Sequence, residues 1–267
     1  AIAGGEPTTV FSPPDMPRLR LWRVSDPGTI DVLQSALKDA DIFIADGHHR
    51  YEAALRYRGS VRAEREVDHN ESINFRIMLL VSFDEPGLIT RGYHRLVESA
   101  TDEEFAEIVG SIEKTCDLED WTPSEGLSTA EQIEEFSVAL GEREDNEVTF
   151  GLYSKEPGKF HIARMKSPHP AENAIENSEY SHLHSHILGP AIAKEREESV
   201  ISPHHDAALI AGQIESGAAR MAFIMRPVPL DEFVSIVTRG WRLPPKATNF
   251  YPKPPAGAVI QEFGDQL

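Results

Sequence analysis

The residues best suited to chemistry in this sequence lie together in one turn. They are Asp46, Gly47, His48, His49 and Arg50, which we call the Asp46–Arg50 turn. Imidazole and guanidinium groups bind phosphates and carboxylates, and a carboxylate can accept a proton or hold a metal ion. Their types and spacing therefore predict an anion-binding turn with an acid–base group beside it.

The flanking residues predict a strand–turn–helix unit that positions this turn. The short apolar run Ile42–Ala45 is typical of a buried strand, and residues at three- and four-residue spacing from His48 onwards predict a helix. A helix N-terminus has unpaired N–H groups and about half a positive charge, so cations in its first turn oppose the helix dipole. Asp46 fits this rule as an N-cap, whereas His48, His49 and Arg50 break it.

Two explanations remain for the cationic residues in the first turn of this helix. A phosphate or carboxylate ligand at the helix start would explain all three residues, because it would be held by the N–H groups and the side chains together. The structural alternative places one histidine in a core and pairs Arg50 with Asp46 or Glu52. We favour the ligand, because three consecutive departures from a local rule are typical of function.

Composition narrows the class of protein. The chain has 267 residues, 40% hydrophobic content and a net charge of -18, which predicts a globular protein and disfavours nucleic acid and anionic membranes as partners. The sequence has a single cysteine, Cys116, which excludes an internal disulfide framework. We find neither an apolar run of membrane-spanning length nor a signal pattern, so we expect a cytoplasmic protein.

Hydrophobic periodicity predicts a mixed sheet with helices, an α/β or α+β fold. The predicted strands are 18–24, 75–83, 89–97, 148–153, 159–165 and 220–225. The predicted helices are 29–38, 102–116, 128–140, 180–198, 206–216 and 230–238. Thr101 with Glu104 is the signature of a capping box, and Asp206 is placed to cap a helix.

Four blocks of the sequence resemble the domain of unknown function 1015 family. They are Ala45–Arg50, Tyr93–Val97, Glu215–Phe223 and Leu243–Lys253, in the family's order. Ala247 stands where the family usually has serine, and the family's N-terminal segment, rich in Pro, Tyr and acidic residues, has no counterpart here. If part of the active site lies in that segment, we expect this chain to be inactive alone.

The Asp-Gly-His-His-Arg core also resembles the nucleotide-binding element of the ParB/sulfiredoxin superfamily, some members of which are kinases acting on free serine. The resemblance implies a ParB/sulfiredoxin-like strand–turn–helix unit at the centre of the fold. His48 occupies the position of the sulfiredoxin cysteine, so sulfiredoxin chemistry is not expected. We accordingly expect a tail at residues 1–17, a phosphate-binding part at 18–118 and an α/β C-terminal part at 119–267.

The leading hypothesis is phosphoryl transfer, kinase- or phosphatase-like, on a small molecule. The expected catalytic residues are Asp46 and His48, and the expected ligands of the phosphates are Gly47, His49, Arg50, His94, Arg95, Lys246 and Lys253. Expected cofactors are Mg²⁺ and ATP, ADP or pyrophosphate, because such catalysis depends on positioning and charge neutralisation. A homodimer is compatible with the sequence.

Two other hypotheses stay open. A divalent-metal hydrolase is suggested by residue types suited to Zn, Mn or Fe, although their spacing matches no helical metal pair. These residues are His48, His49, His204, His205 and Asp206. The other hypothesis is a regulatory domain that binds a nucleotide or phosphate without turning it over.

Overall fold

The structure, a computed structural model, describes residues 4–14, 16–143, 147–155, 159–166, 178–243 and 246–263, with residue 159 described by its backbone only. It divides into two compact units, and each is described by itself. Unit 1 comprises residues 1–80 and 253–267, and unit 2 comprises residues 81–252.

The regular secondary structure of unit 1 is mainly helical. A small antiparallel pair joins β1 (Thr9–Phe11) to β2 (Leu19–Leu21), and two helices follow, α1 (Pro27–Leu37) and α2 (His48–Glu64). Asp26 caps α1 by accepting a hydrogen bond from the Thr29 N–H at 2.8 Å. The helices predicted in this part of the sequence are therefore confirmed.

Two strands predicted in and next to unit 1 are wrong. Residues 42–45 and 75–83 are irregular, and apolar side chains in both are exposed, by 53% at Ile42 and 68% at Leu79. Apolar runs of this kind become strands only where a neighbouring strand pairs with their backbone. Neither run has such a partner among the described residues.

Unit 2 contains the main sheet. The strands of unit 2 are β3 (Ile89–Arg91), β4 (His94–Val97), β5 (Cys116–Trp121), β6 (Thr149–Ser154), β7 (Lys159–Met165), β8 (Ile201–His204), β9 (Met221–Ile224) and β10 (Asn249–Tyr251). Its helices are α3 (Asp102–Thr115), α4 (Thr129–Gly141), α5 (Glu179–Leu183), α6 (Gly189–Ala191), α7 (Lys194–Val200), α8 (Ala207–Ser216) and α9 (Leu230–Thr238).

Six strands form one sheet in the order β5-β7-β6-β9-β4-β8, and all neighbouring pairs are antiparallel. Successive residues of a strand face opposite sides, and both sides are covered. In β9, Phe223 packs into the cluster that contains α3, while Ala222 and Ile224 pack into the cluster that contains α4 and α8. The predicted mixture of sheet and helices is confirmed, as an α+β fold.

Helix caps in unit 2 follow the sequence signals. Thr101 and Glu104 form the capping box of α3, and Ser128 forms another with Glu131 at α4. Asp206 caps α8 through the N–H groups of Ala208 and Leu209. The boundaries of these helices were predictable because the caps lie within the helices' own sequences.

The segment 180–198 is helical as predicted, but it is not one continuous helix. The structure has α5, then a π-helical turn, His184–Leu188, then α6 and α7. Gly189 donates its N–H to the carbonyl of His184, five residues earlier, and the next residue, Pro190, has no N–H to continue a regular helix. His184 is the first residue of this π-helical turn.

Candidate functional site

The Asp46–Arg50 turn lies at the start of α2. Gly47 is the N-cap residue, with φ of 82°, and its carbonyl accepts the first helical hydrogen bond from the Tyr51 N–H at 3.0 Å. Among the backbone N–H groups of the described residues, the carboxylate of Asp46 accepts that of Gly47, at 2.6 Å. The prediction that Asp46 is the N-cap is therefore wrong, because its carboxylate turns away from the N–H groups further along the helix.

The second oxygen of Asp46 binds the tail of the chain. Lys253 donates to Asp46 Oδ2 at 2.7 Å, and both residues belong to unit 1. Burial would raise the pKa of Asp46, but the hydrogen bond and charge of Lys253, with smaller effects of Gly47 and Arg50, lower it below its ordinary value. Asp46 is therefore ionised at neutral pH and neutralises one of the cations around it.

Arg50 folds back over the turn. A Cβ at Gly47 would lie 3.1 Å from Arg50 Nη2, at the end of a flexible side chain that can move, so the left-handed backbone is what favours glycine there. His48, His49 and Arg50 are exposed, and no acidic residue occupies the first turn of α2. This arrangement leaves helix N–H groups and a guanidinium open to an anion from solvent.

His94 and Arg95 lie in β4, in unit 2, and both are buried. His94 Nδ1 accepts the Met225 N–H at 3.1 Å. Burial lowers the pKa of His94 to about 4, with smaller effects of Arg95 and His205. His94 is thus a neutral residue at pH 7 and supplies no positive charge to a ligand.

Arg95 directs its guanidinium at protein carbonyls. Nη1 donates to the Tyr93 carbonyl at 3.0 Å, and both Nη atoms donate to the Lys246 carbonyl at 3.2 Å. The guanidinium carbon also lies 4.8 Å from the centre of the Tyr180 ring. Arg95 therefore ties the segment at Lys246 to the sheet.

Two residues next to Arg95 were missed by the sequence reasoning. His184 Nε2 lies 3.4 Å from Arg95 Nε, and His184 Nδ1 forms a very short contact with Glu197 Oε1. The dense histidines of residues 182–186 were the signal, but their spacing argued only against a helical metal site. The contact of His184 with Arg95 joins residues 89 positions apart, which the sequence pattern does not reveal.

Lys246 has an exposed side chain and a left-handed backbone, with φ of 57°. Its Nζ lies 5.3 Å from the centre of the Tyr93 ring. The predicted site residues thus form two groups. Asp46, Gly47, Arg50 and Lys253 meet in unit 1, and Arg95 and Lys246 meet in unit 2.

The residues proposed for a metal site have other partners in unit 2. His204 contacts Ser202 at 3.1 Å, His205 packs edge-on to Tyr93, and Asp206 is the cap of α8. Within the described part of the chain, no three His, Cys, Asp or Glu residues are grouped to hold a metal ion. The metal-hydrolase hypothesis therefore has no ligand set among these residues.

The family model described as "Protein of unknown function (DUF1015)" matches residues 1–186. That match spans more than half of the chain, and the chain belongs to this family. No curated protein matches the sequence. Among the described residues, no helix is both long enough and apolar enough to cross a membrane.

Some solved structures are similar to the chain at low identity. A conserved hypothetical protein from Pyrococcus furiosus is 14% identical, with 83% of this chain and 81% of that chain covered and a TM-score of 0.37. A mutant free serine kinase in complex with ADP is 12% identical, with 85% and 81% covered and a TM-score of 0.39. A free serine kinase in complex with AMP is 13% identical, with 85% and 81% covered and a TM-score of 0.35.

Proposed function

We propose that this chain binds the phosphate groups of a nucleotide or another small phosphorylated compound at the Asp46–Arg50 turn, and transfers a phosphoryl group to or from a small molecule. The observation that carries the proposal is the exposed, cationic first turn of α2 behind the left-handed Gly47. Phosphoryl transfer depends mainly on positioning and charge neutralisation, which such a turn can supply. We also propose that the turn serves as a nucleotide-binding element like that of the ParB/sulfiredoxin superfamily.

The charges of the turn favour an anion. Asp46 cancels one of the two permanent cations, Arg50 and Lys253, so one positive charge remains among these three groups. Glu52, outside the turn, lies 3.9 Å from His49 Nδ1. Gly47, His49 and Arg50 are the proposed phosphate ligands, through backbone N–H groups and side chains. A hydrogen bond to a charged group contributes roughly 1.5–3 kcal/mol, so two or three of them give useful affinity.

The proposed catalytic residues are Asp46 and His48. The lowered pKa of Asp46 keeps it ionised, which makes it a weak base that must act on a proton held close by. The same ion pair with Lys253 favours the alternative in which the turn binds a phosphate compound without turning it over. Product formation separates these two functions.

Mg²⁺ fits the turn only as part of a complex with a phosphate ligand. Asp46 is the carboxylate of the turn, and Mg²⁺ commonly binds through one or two carboxylates together with substrate phosphates. Bound with ATP, ADP or pyrophosphate, Mg²⁺ would neutralise phosphate charge. Asp46 would hold the complex in place of its contact with Lys253.

In unit 2, Lys246 is proposed separately as a ligand of a phosphate group. Its ammonium is exposed, whereas the donors of Arg95 face carbonyl groups and His94 is neutral. His94 and Arg95 therefore take part by supporting the site. Their proposed role is to hold the backbone around Lys246.

The test is thermal-shift binding with ATP, ADP, pyrophosphate and phosphate, each with and without Mg²⁺. A ligand at 100 times its dissociation constant should add roughly 2.7 kcal/mol to the free energy of unfolding. We expect that shift in the parent protein and its loss in Arg50→Ala. The ligand with the largest shift identifies the phosphate compound.

Arg56→Ala is the matched control, because Arg56 lies on the same helix, is exposed and pairs only weakly with Glu52, at 3.9 Å. It removes the same charge outside the turn and should keep the shift. A shift that survives in Arg50→Ala, or that disappears equally in both variants, would contradict the proposal. Incubating the binding ligand with candidate acceptors and following phosphorus by NMR then separates transfer from binding.

A further inference from the structure

Lys246 is held in a conformation that non-glycine residues avoid. Its φ of 57° is left-handed, which costs a lysine free energy that glycine would not lose. The Arg95 guanidinium holds the backbone at this residue by donating twice to the Lys246 carbonyl, and Arg95 is itself only 5% exposed. The fold therefore imposes the position of this lysine.

The orientation of Arg95 is in turn fixed by His184 and Glu197. An arginine Nε–H can only donate, so His184 Nε2 must be the acceptor, and its Nδ1 then carries the hydrogen that points to Glu197. Burial lowers the pKa of His184, and Arg95 lowers it further against the opposing effect of Glu197. A neutral His184 with this tautomer satisfies both contacts at once.

The Lys246 ammonium lies over the ring of Tyr93 and is attracted to the face of that ring. The Tyr93 backbone N–H donates to the Tyr180 hydroxyl at 3.0 Å, and the exposed His205 ring lies 5.5 Å from the Tyr93 ring. Lys246 forms no ion pair with a carboxylate of the described residues. An ammonium that is open to solvent and has no carboxylate partner in the described part of the chain is suited to binding an anion.

We propose that Glu197, His184 and Arg95 form a positioning chain that holds the Lys246 ammonium over Tyr93 as an oxyanion-binding site in unit 2. The ligand class is a small phosphate or carboxylate. The inference rests on the proposed function, which already takes Lys246 as a phosphate ligand, and deepens it by adding the positioning chain; none of the residues involved belongs to the Asp46–Arg50 turn. Lys246 contacts the anion, and the other three residues act through it.

The test follows the Lys246 side chain by NMR after ¹³C reductive methylation of the lysines. Lys246→Arg assigns the signal. Because the methyl groups lie over the Tyr93 ring, we expect the parent signal upfield of the exposed lysines. Pyrophosphate and succinate are then titrated separately, and saturable movement of this signal by one of them identifies the anion as a phosphate or a carboxylate.

Glu197→Gln tests the chain, and Glu198→Gln is the matched control, because Glu198 is the next residue and is exposed. We expect Glu197→Gln to return the signal towards the exposed lysines and to weaken anion binding about tenfold, within the range of coupled neighbours. Glu198→Gln should change neither. In the Lys246→Met background, Glu197→Gln should have no further effect on anion binding.

Three outcomes would overturn this inference: a parent signal at the position of exposed lysines, a signal that Glu197→Gln leaves unmoved, or a signal that neither anion moves. Failure is distinguishable from failure of the proposed function. If pyrophosphate stabilises the parent through Arg50 but does not move the Lys246 signal, only this inference fails. If the signal still moves in Arg50→Ala, the site in unit 2 stands independently.

Discussion

At the scale of single residues, Asp46 shows how a role depends on a partner that is distant in sequence. The residue types of the turn were visible in the sequence, and so was the conflict of His48, His49 and Arg50 with the helix dipole. The ion pair of Asp46 with Lys253 was not visible, because it joins residues 207 positions apart. That pair replaces the expected N-cap.

The burial of His94 makes the stability of the folded protein depend on pH. Its folded-state pKa of about 4 lies below the ordinary value of 6.5, so between these values the unfolded chain binds a proton that the folded chain does not. Stability is therefore lost as the pH falls from 6.5 to 4. The loss amounts to about 3 kcal/mol, since each pKa unit corresponds to about 1.4 kcal/mol.

We predict that His94→Asn reduces this loss. The Asn carbonyl can still accept the Met225 N–H, but it does not titrate, so the free energy of unfolding should fall less between pH 6.5 and 4 than in the parent. Urea denaturation at a series of pH values measures the difference. His69→Asn is the control, because the His69 side chain is 86% exposed, and an unchanged slope in His94→Asn would contradict the assignment.

The comparison must be made between variant and parent, because Glu179 contributes the opposite slope. Burial raises the pKa of Glu179 to about 7, despite the contact with Arg226. Its contribution to stability is present below pH 4.5 and is lost as the pH rises towards 7. The two groups partly cancel in the parent protein, and subtracting the two profiles isolates His94.

At the scale of elements, what could be predicted depended on where the determining contacts lie. The helices α3, α4, α8 and α9 were predicted because their apolar spacing and, in the first three, their caps lie within the helix sequence. The hairpin of β6 and β7 was predicted for the same reason, although its turn at 156–158 lies outside the described residues.

The elements that were predicted wrongly depend on backbone hydrogen bonds that the sequence pattern does not specify. Residues 42–45 and 75–83 have the composition of strands, but a strand needs a partner backbone that composition does not specify. The π-helical turn at 184–188 likewise depends on the Gly189 N–H reaching the His184 carbonyl. A periodicity of 3.6 residues cannot distinguish that bond from a regular helical one.

The packing of α4 on the sheet makes a prediction about Gly151 in β6. A Cβ at Gly151 would lie 2.3 Å from Phe136 Cε1 and 2.8 Å from Leu140 Cδ1, both buried on α4. We expect Gly151→Ala to lower the free energy of unfolding by about 1–3 kcal/mol, because the helix must move. Urea denaturation measures the change.

Gly110→Ala is the matched control for this substitution. Gly110 lies within α3, and an added Cβ there would meet no atom within 4 Å. Alanine should raise the free energy of unfolding by about 0.5–1 kcal/mol, since glycine is a poor helix former. Equal effects of the two substitutions would show that α4 does not pack on Gly151 as described.

At the scale of the whole molecule, the buried apolar side chains are unevenly distributed. Among the described residues, every buried hydrophobic side chain lies in unit 2, and α1 and α2 bury none. Helices in proteins gain most of their stability from packing an apolar face. The candidate turn is therefore carried by a helix with little packing to stabilise it.

We predict that α2 opens far more often than a helix of similar length in unit 2. The matched helix is α4, which has 13 residues and buries Ile133, Phe136 and Leu140, whereas α2 has 17 and buries none. Hydrogen exchange followed by mass spectrometry should show α2 amides exchanging at least about 100-fold faster than those of α4, because local opening tracks buried contacts. Equal protection would contradict the assignment of the core to unit 2.

Hydrogen exchange in α2 should also respond to ligand binding. An anion that binds the folded start of α2, and not its open form, must slow exchange in that helix by mass action. Pyrophosphate should therefore protect the amides that follow Gly47 while leaving α4 unchanged. Part of the free energy of anion binding is used to order a loosely packed helix. The affinity of this turn for an anion should therefore rise in any variant that stabilises α2 without changing its first turn.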